Sequence, residues 1–281
     1  MSNIAFLGTG LLGGALAEAA AERGDGVTVW NRTLDKARAL ERFGARVGTT
    51  PADAVRGAER VHLVLKDDAV VDEVIAAAKP GLAPRAIIVD HTTNQPGLTA
   101  ARARKLAAEG IRYLHCPVFI GPPAARKGQG TIMASGPRAL FDEIRPALTR
   151  MAARVEYLGE RPDLAAVYKL CGNAFIIGLS GVIADMLMVA KRADVAPMDA
   201  IGVTEFFNPA AMIAGRGKNI AAGNFAPTFE LVMARKDVRL MLETAGDVQL
   251  PVLRGIAARM DELIAAGHGA DDLAVLGIDL R

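Results

Sequence analysis

Residues 8 to 13 read Gly8-Thr9-Gly10-Leu11-Leu12-Gly13, a G-x-G-x-x-G string of the kind that cradles phosphate. Gly8 suits a tight turn, Gly10 lets the backbone approach a pyrophosphate, and Gly13 lets a helix pack closely on a sheet. The string follows a β-rich run, Ile4–Leu7, and opens a helical pattern over Leu11–Arg23. The helix start would then offer free N–H groups and the positive end of its dipole to the phosphates. A chain with 29 glycines can produce such a string by chance, as a turn without a ligand; the strand before it and the helix after it favour a dinucleotide. A second strand ends at Trp30, where an NAD site places a carboxylate on the ribose hydroxyl. Asn31-Arg32-Thr33 stands there instead. Arg32 can grip a 2′-phosphate bidentately and Thr33 can add a donor, so NADP(H) is the expected cofactor. The competing reading has Arg32 stacked on the adenine of either dinucleotide.

Lys169 and Asn173 are four residues apart in a helical stretch and so share one face. An ammonium there can give a proton to a carbonyl oxygen and steady the alkoxide as hydride arrives, while the amide donates or orients. Burial would bring the lysine toward a working pKa. Read alone, the pair is equally a snorkelling lysine and a surface asparagine. Other chemistry finds little support. His62, His91, His115 and His268 are scattered, with no cysteine or carboxylate at metal-ligand spacing. No metal is expected, and His115-Cys116 is a poor nucleophile pair at a strand end. The methionines at 186, 188, 198 and 212 read as core filling.

These residues need a scaffold. Six β-rich runs, Ile4–Leu7, Val27–Trp30, Val61–Leu65, Ala86–Asp90, Tyr113–Cys116 and Thr131–Ala134, alternate with helical patterns over Leu11–Arg23, Leu34–Phe43, Asp68–Ala78 and Gly97–Glu109. That rhythm predicts βαβ units and a parallel sheet covered on both faces. After Tyr157 the pattern becomes helical: a long helix from Pro162 to about Asp194, then Met198–Phe206, Pro209–Ala222, Thr228–Ala245 and Pro251–Ala266. The expected fold is α/β, an N-terminal Rossmann-type doubly wound sheet over residues 1–160 with an all-helical C-terminal domain over 161–281. From Ala174 to Ala190 the long helix is apolar nearly all round, which calls for burial on every side and predicts a homodimer built around it. Its uncharged stretch Asn173–Ala184 falls short of the roughly 20 apolar residues of a membrane span. Lys plus Arg number 33 against 31 acids, without the concentrated basic face of a nucleic-acid binder. Two cysteines and no basic N-terminal leader predict a cytoplasmic protein.

Together these strings resemble the β-hydroxyacid dehydrogenase family along essentially the whole chain. Ile4-Ala5-Phe6-Leu7 with the glycine string is similar to its cofactor motif, and Asn31-Arg32-Thr33 to its NADPH-using branch. Asp90-His91-Thr92-Thr93-Asn94-Gln95-Pro96 resembles its D-x-[ST]-T-x-x-P, which implies that Thr93, with Thr92 beside it, lies at the nicotinamide end. Leu65 and Lys66, closing a strand, are assigned to the cofactor as well. Tyr168-Lys169-Leu170-Cys171-Gly172-Asn173 is similar to the catalytic K-x-x-x-N, and the resemblance implies Lys169 as proton donor with Asn173 beside it. Lys236-Asp237 resembles the pair that closes the site on cofactor and substrate; Arg235 and Arg239 make a solvated basic face the competing reading. Gly267-His268-Gly269 with Asp272 resembles the C-terminal G-x-G-x-x-D.

One motif departs. The family's substrate loop, D-A-P-V-S-G-G, appears here as His115-Cys116-Pro117-Val118-Phe119-Ile120-Gly121. Phe119 and Ile120 replace the serine and first glycine that hold a substrate carboxylate, and Pro122 and Pro123 remove two further N–H donors. The substrate residues Val118, Phe119, Ile120, Gly121, Lys169, Asn173 and Lys236 thus predict an NADP(H)-dependent oxidoreductase for a carbonyl or hydroxyl compound larger or less polar than a small hydroxy acid. An imine reductase is the alternative enzyme: the apolar loop favours it and Lys169 opposes it. A non-catalytic NADPH-binding dimer would have no need of the lysine.

Overall fold

The computed structural model describes residues 2–280. They form two compact units, which divide between Asn173 and Ala174. The first unit runs β1 (Asn3–Leu7), α1 (Leu11–Glu22), β2 (Gly26–Trp30), α2 (Leu34–Arg38), β3 (Arg46–Val47), α3 (Pro51–Ala54), β4 (Arg60–Leu63), α4 (Asp68–Ala78), β5 (Ile87–Asp90), α5 (Pro96–Ala108), β6 (Arg112–His115), β7 (Val118–Phe119), α6 (Pro122–Arg126), β8 (Thr131–Ala134), α7 (Arg138–Leu148) and β9 (Arg154–Tyr157). Six strands make a parallel sheet in the order β3-β2-β1-β4-β5-β6, the Rossmann order with its switch between β1 and β4. Alternate strand residues pack on opposite faces. Ile4, Phe6, Ile87 and Val89 enter one apolar cluster; Ala5, Leu7 and Ile88 enter the other. Helices therefore cover both faces, as the uninterrupted apolar strands predict.

The expected helix Leu34–Phe43 divides. It ends as α2 at Arg38, and Glu41–Phe43 is a tighter 3₁₀ turn closed by Gly44 at φ +85°. A second small sheet, β7-β8-β9, joins β7 and β8 antiparallel and β8 and β9 parallel. It fixes the substrate loop by pairing Val118 with Ile132 and Phe119 with Thr131.

The long helix α8 is Leu164–Arg192, two residues later at its start than the proline suggests; the division between the units falls within it. The second unit continues with α9 (Pro197–Ile201), α10 (Pro209–Ala222), α11 (Leu231–Ala245) and α12 (Pro251–Leu263). Its apolar cluster centres on Leu231, Val238, Met260 and Val275. Two buried carboxylates tie it together. Asp185 on α8 accepts from the amides of Val252 and Leu253, capping α12 from outside. Asp272 accepts from the amides of Thr228, Phe229 and Ala274 and from the Thr228 hydroxyl. Burial opposes its ionisation, but these donors outweigh burial and hold its carboxyl well below the usual range. A depressed carboxyl stabilises the fold above the unfolded pKa and loses that contribution as pH falls through the folded one. Asp272→Ala is expected to cost about 3 kcal/mol, read as a lower Tm at neutral pH. The gap from the parent should narrow below about pH 4.

Candidate functional site

The carboxyl ends of β1, β2 and β4 open onto a cavity of about 400 Å³ lined by Gly8, Gly10, Leu11, Leu12, Gly13, Asn31, Arg32, Thr33, Leu65 and Lys66, a size suited to a small ligand. The glycines explain its shape. Gly8 has φ +99°, and a Cβ there would stand 2.2 Å from the Val64 carbonyl oxygen; one on Gly13 would stand 2.0 Å from the Gly8 oxygen. A Cβ on Gly10 would meet nothing within 4 Å, so this backbone faces open space. α1 starts there with Gly10 at its N-cap, no side-chain cap and no acid in its first turn. An unneutralised helix start beside bare backbone is what a pyrophosphate needs. The Thr9 amide donates to Asn31 Oδ1 at 3.1 Å and Asn31 Nδ2 to the Thr33 carbonyl at 2.9 Å, so Asn31 clasps the glycine loop to the end of β2. Thr9 is buried and its hydroxyl has no partner.

The same cavity is lined by Lys36, which the sequence reading does not single out. Arg32 precedes α2 and Lys36 lies within it, so no helical periodicity links the two cations. Both are exposed. Glu73 is the one carboxylate lining the cavity. These residues fit a dinucleotide with a phosphorylated ribose.

The segment after β5 lies alongside. The Thr92 hydroxyl is buried and accepts from the Leu65 amide at 3.0 Å, leaving Thr93 as the exposed threonine. Lys66 is exposed and 3.8 Å from Asp67.

Lys169 and Asn173 sit one turn apart on α8, in the same unit as the sheet. Lys169 Nζ lies 4.2 Å from the centroid of the Phe119 ring, within cation–π range. Lys169 is half-buried, and burial pulls its ammonium below the ordinary lysine value. Phe119 is brought there by Gly172: a Cβ on Gly172 would fall 2.2 Å from the ring's Cζ. The aromatic ring thus rests on bare helix backbone. Ile120 packs against the sheet's apolar cluster, Gly121 is exposed, and Val118 is buried in that cluster, its side chain turned to the core. Lys236 belongs to the second unit, on α11, where its ammonium is 2.9 Å from Asp237 Oδ1. No group of three His, Cys, Asp or Glu side chains among the described residues could hold a metal ion.

Sheet order, glycine loop and cavity define a dinucleotide-binding protein of the Rossmann class. Residues 3–159 match the family described as the NAD binding domain of 6-phosphogluconate dehydrogenase, more than half of the chain, and the protein belongs to that family of NAD(P)-binding oxidoreductases. It is 28% identical to glyoxylate/succinic semialdehyde reductase 1 of Arabidopsis thaliana, over 97% of this chain and 96% of that protein. The human cytokine-like nuclear factor N-PAC is 27% identical over 91% of the chain, which spans only 47% of that protein, about half its length. Among solved structures, the imine reductase of Streptomyces aurantiacus is 30% identical, covers 99% of both chains and superposes with a TM-score of 0.86. These relatives agree with the β-hydroxyacid dehydrogenase resemblance.

Proposed function

We propose that the chain is an NADPH-dependent reductase of uncharged carbonyl compounds, with Lys169 as proton donor. The observation that carries this reading is the Lys169 ammonium held in an apolar setting over Phe119, 4.2 Å from the ring centroid. When bound over the glycine loop and Arg32, NADPH would supply the hydride for the carbonyl carbon. Lys169 gives a proton to the oxygen as the C=O bond becomes C–O–H, and the neutral amine regains its proton from water. Asn173, one turn further on, steadies the same oxygen. The ring of Phe119 covers the loop position where a carboxylate would require donors, so the loop selects against small acids. Lys236 closes on cofactor and substrate in this reading. A screen of NADPH oxidation against aldehydes, keto acids and cyclic imines tests it; turnover of none of the carbonyl compounds would refute it. The apolar loop and the likeness to an imine reductase favour C=N reduction as the second reading, and the cyclic imines separate the two.

Arg32 and Lys36 in the cavity support a 2′-phosphate as the feature recognised. Arg32→Ala is expected to weaken NADPH binding by about 1–3 kcal/mol and to leave NADH binding nearly unchanged. Equal dissociation constants for the two cofactors in the parent protein would contradict this.

We also propose a homodimer. α8 is long and apolar enough to cross a membrane by length and composition, yet its buried Asp185 is built into the helical unit as the cap of α12. Phe175, Ile176, Ile177, Leu179, Val182 and Ile183 are all exposed, Ile177 by 72%, more apolar surface in one place than a monomer commonly leaves in water. Sedimentation is expected to show a dimer at micromolar concentration; a stable monomer would refute it.

A further inference from the structure

Beneath the segment Thr92–Gln95 lies a buried charged network that takes no direct part in the proposed proton transfer. Asp90 is fully buried at the end of β5. Its Oδ1 accepts from the Thr92 amide at 2.9 Å, and its Oδ2 from Asn94 Nδ2 at 2.7 Å and the Tyr113 hydroxyl at 2.8 Å. Arg102 on α5, with a side chain only 2% exposed, places Nη1 3.9 Å from Asp90 Oδ2. The same guanidinium donates from Nη2 to Asp68 Oδ1 at 2.8 Å and from Nε to Asp72 Oδ1 at 2.6 Å. Asp68 in turn accepts from the Gln95 amide at 2.8 Å. From the other side, His115 Nε2–H donates to the Thr92 carbonyl at 3.0 Å, since a carbonyl can only accept.

One cation thus joins three carboxylates, and two of them, Asp90 and Asp68, each hold an amide of the same four-residue segment. Thr92 is held at its amide, carbonyl and hydroxyl, Asn94 at its side chain and Gln95 at its amide. Thr93 is the residue of the four with an exposed side chain and no bond into this network. Such over-determination is costly to build from buried charges. Removing one partner would leave the others desolvated and uncompensated, and the segment would relax.

We propose that Arg102 and Asp90 are positioning residues that set Thr93 against the reacting end of the cofactor. This rests on the reductase reading above, and on the resemblance for the place of Thr93. The network touches no reacting atom; it acts by fixing where Thr93 stands, and small misplacements of such groups are expensive for hydride transfer.

Arg102→Met and Tyr113→Phe test it with two readouts. Hydrogen–deuterium exchange needs no activity: the amides of Thr92 and Gln95 are expected to exchange at least about tenfold faster in Arg102→Met, with the glycine-loop amides unchanged. In NADPH-dependent turnover, Arg102→Met is expected to lower kcat about ten- to a hundredfold. The NADPH dissociation constant should change less than about twofold, because the adenosine end is held elsewhere. The isotope effect with deuterated NADPH should change as well. Tyr113→Phe, which keeps the ring and removes one bond to Asp90, shows the same pattern more weakly and keeps the test decisive if Arg102→Met does not fold. Unchanged exchange at Thr92 and Gln95 overturns the network as the anchor. Faster exchange with unchanged kcat and isotope effect overturns the positioning role. Thr93→Ala separates the premise: if it too leaves turnover unchanged, the place given to Thr93 fails, whatever the network does.

Discussion

Lys169→Ala is expected to lower the turnover number at least about a hundredfold while NADPH binding changes little. The lysine is half-buried and its ammonium is destabilised by burial, with the face of the Phe119 ring 4.2 Å away as a cation–π partner. For reduction the protonated form is the active one. Reduction by the parent protein should therefore fall as pH rises through a pKa below 10.5, the ordinary lysine value. In Lys169→Ala that alkaline limb should vanish together with the rate. The measurement is kcat against pH for both proteins with one uncharged aldehyde. A variant that retains most of its activity would place the donor elsewhere.

The second large effect concerns substrate choice. Phe119→Ser combined with Ile120→Gly is expected to shift preference toward small carboxylate substrates. The change should be about ten- to a hundredfold in the ratio of kcat/KM for a small semialdehyde acid over an uncharged aldehyde. The parent should favour the aldehyde and act weakly on 3-hydroxyisobutyrate or tartronate semialdehyde, because a carboxylate stripped of water needs donors where the loop presents an aromatic ring and an aliphatic chain. A parent ratio strongly favouring the acid would show that other donors hold its carboxylate.

Much of the scaffold was legible in the residues because parallel strands buried on both faces carry nearly uninterrupted apolar runs. Thr131–Ala134 and Asp68–Ala78 were readable to the residue. The short strands were not. Arg46–Val47 and Val118–Phe119 span two residues each, and Arg154–Tyr157 exposes its first residue; none is long or buried enough for its pattern to stand out from a loop. The glycine loop announced itself by residue type. Lys36 did not, because a lysine on a short exposed helix looks like any solvated one. The buried network was hidden for another reason: Asp68, Asp90 and Arg102 are ordinary helix and strand-end residues in sequence, and they meet only because α4 and α5 pack on the same face of the sheet as Ile88. No periodicity encodes a meeting of residues 12 to 34 positions apart.

The rest of Phe119 on Gly172 makes these two positions an exchangeable pair of volumes. Any side chain at 172 would collide with the ring, so the aromatic residue and the glycine can only be inherited or redesigned together. A library that varies the loop alone explores half of the available shapes: replacing Phe119 by something small opens a void over α8 that only a larger residue at 172 can refill. Among relatives, size at one position should trade against size at the other. Selecting both codons at once is the shorter route to a new substrate range.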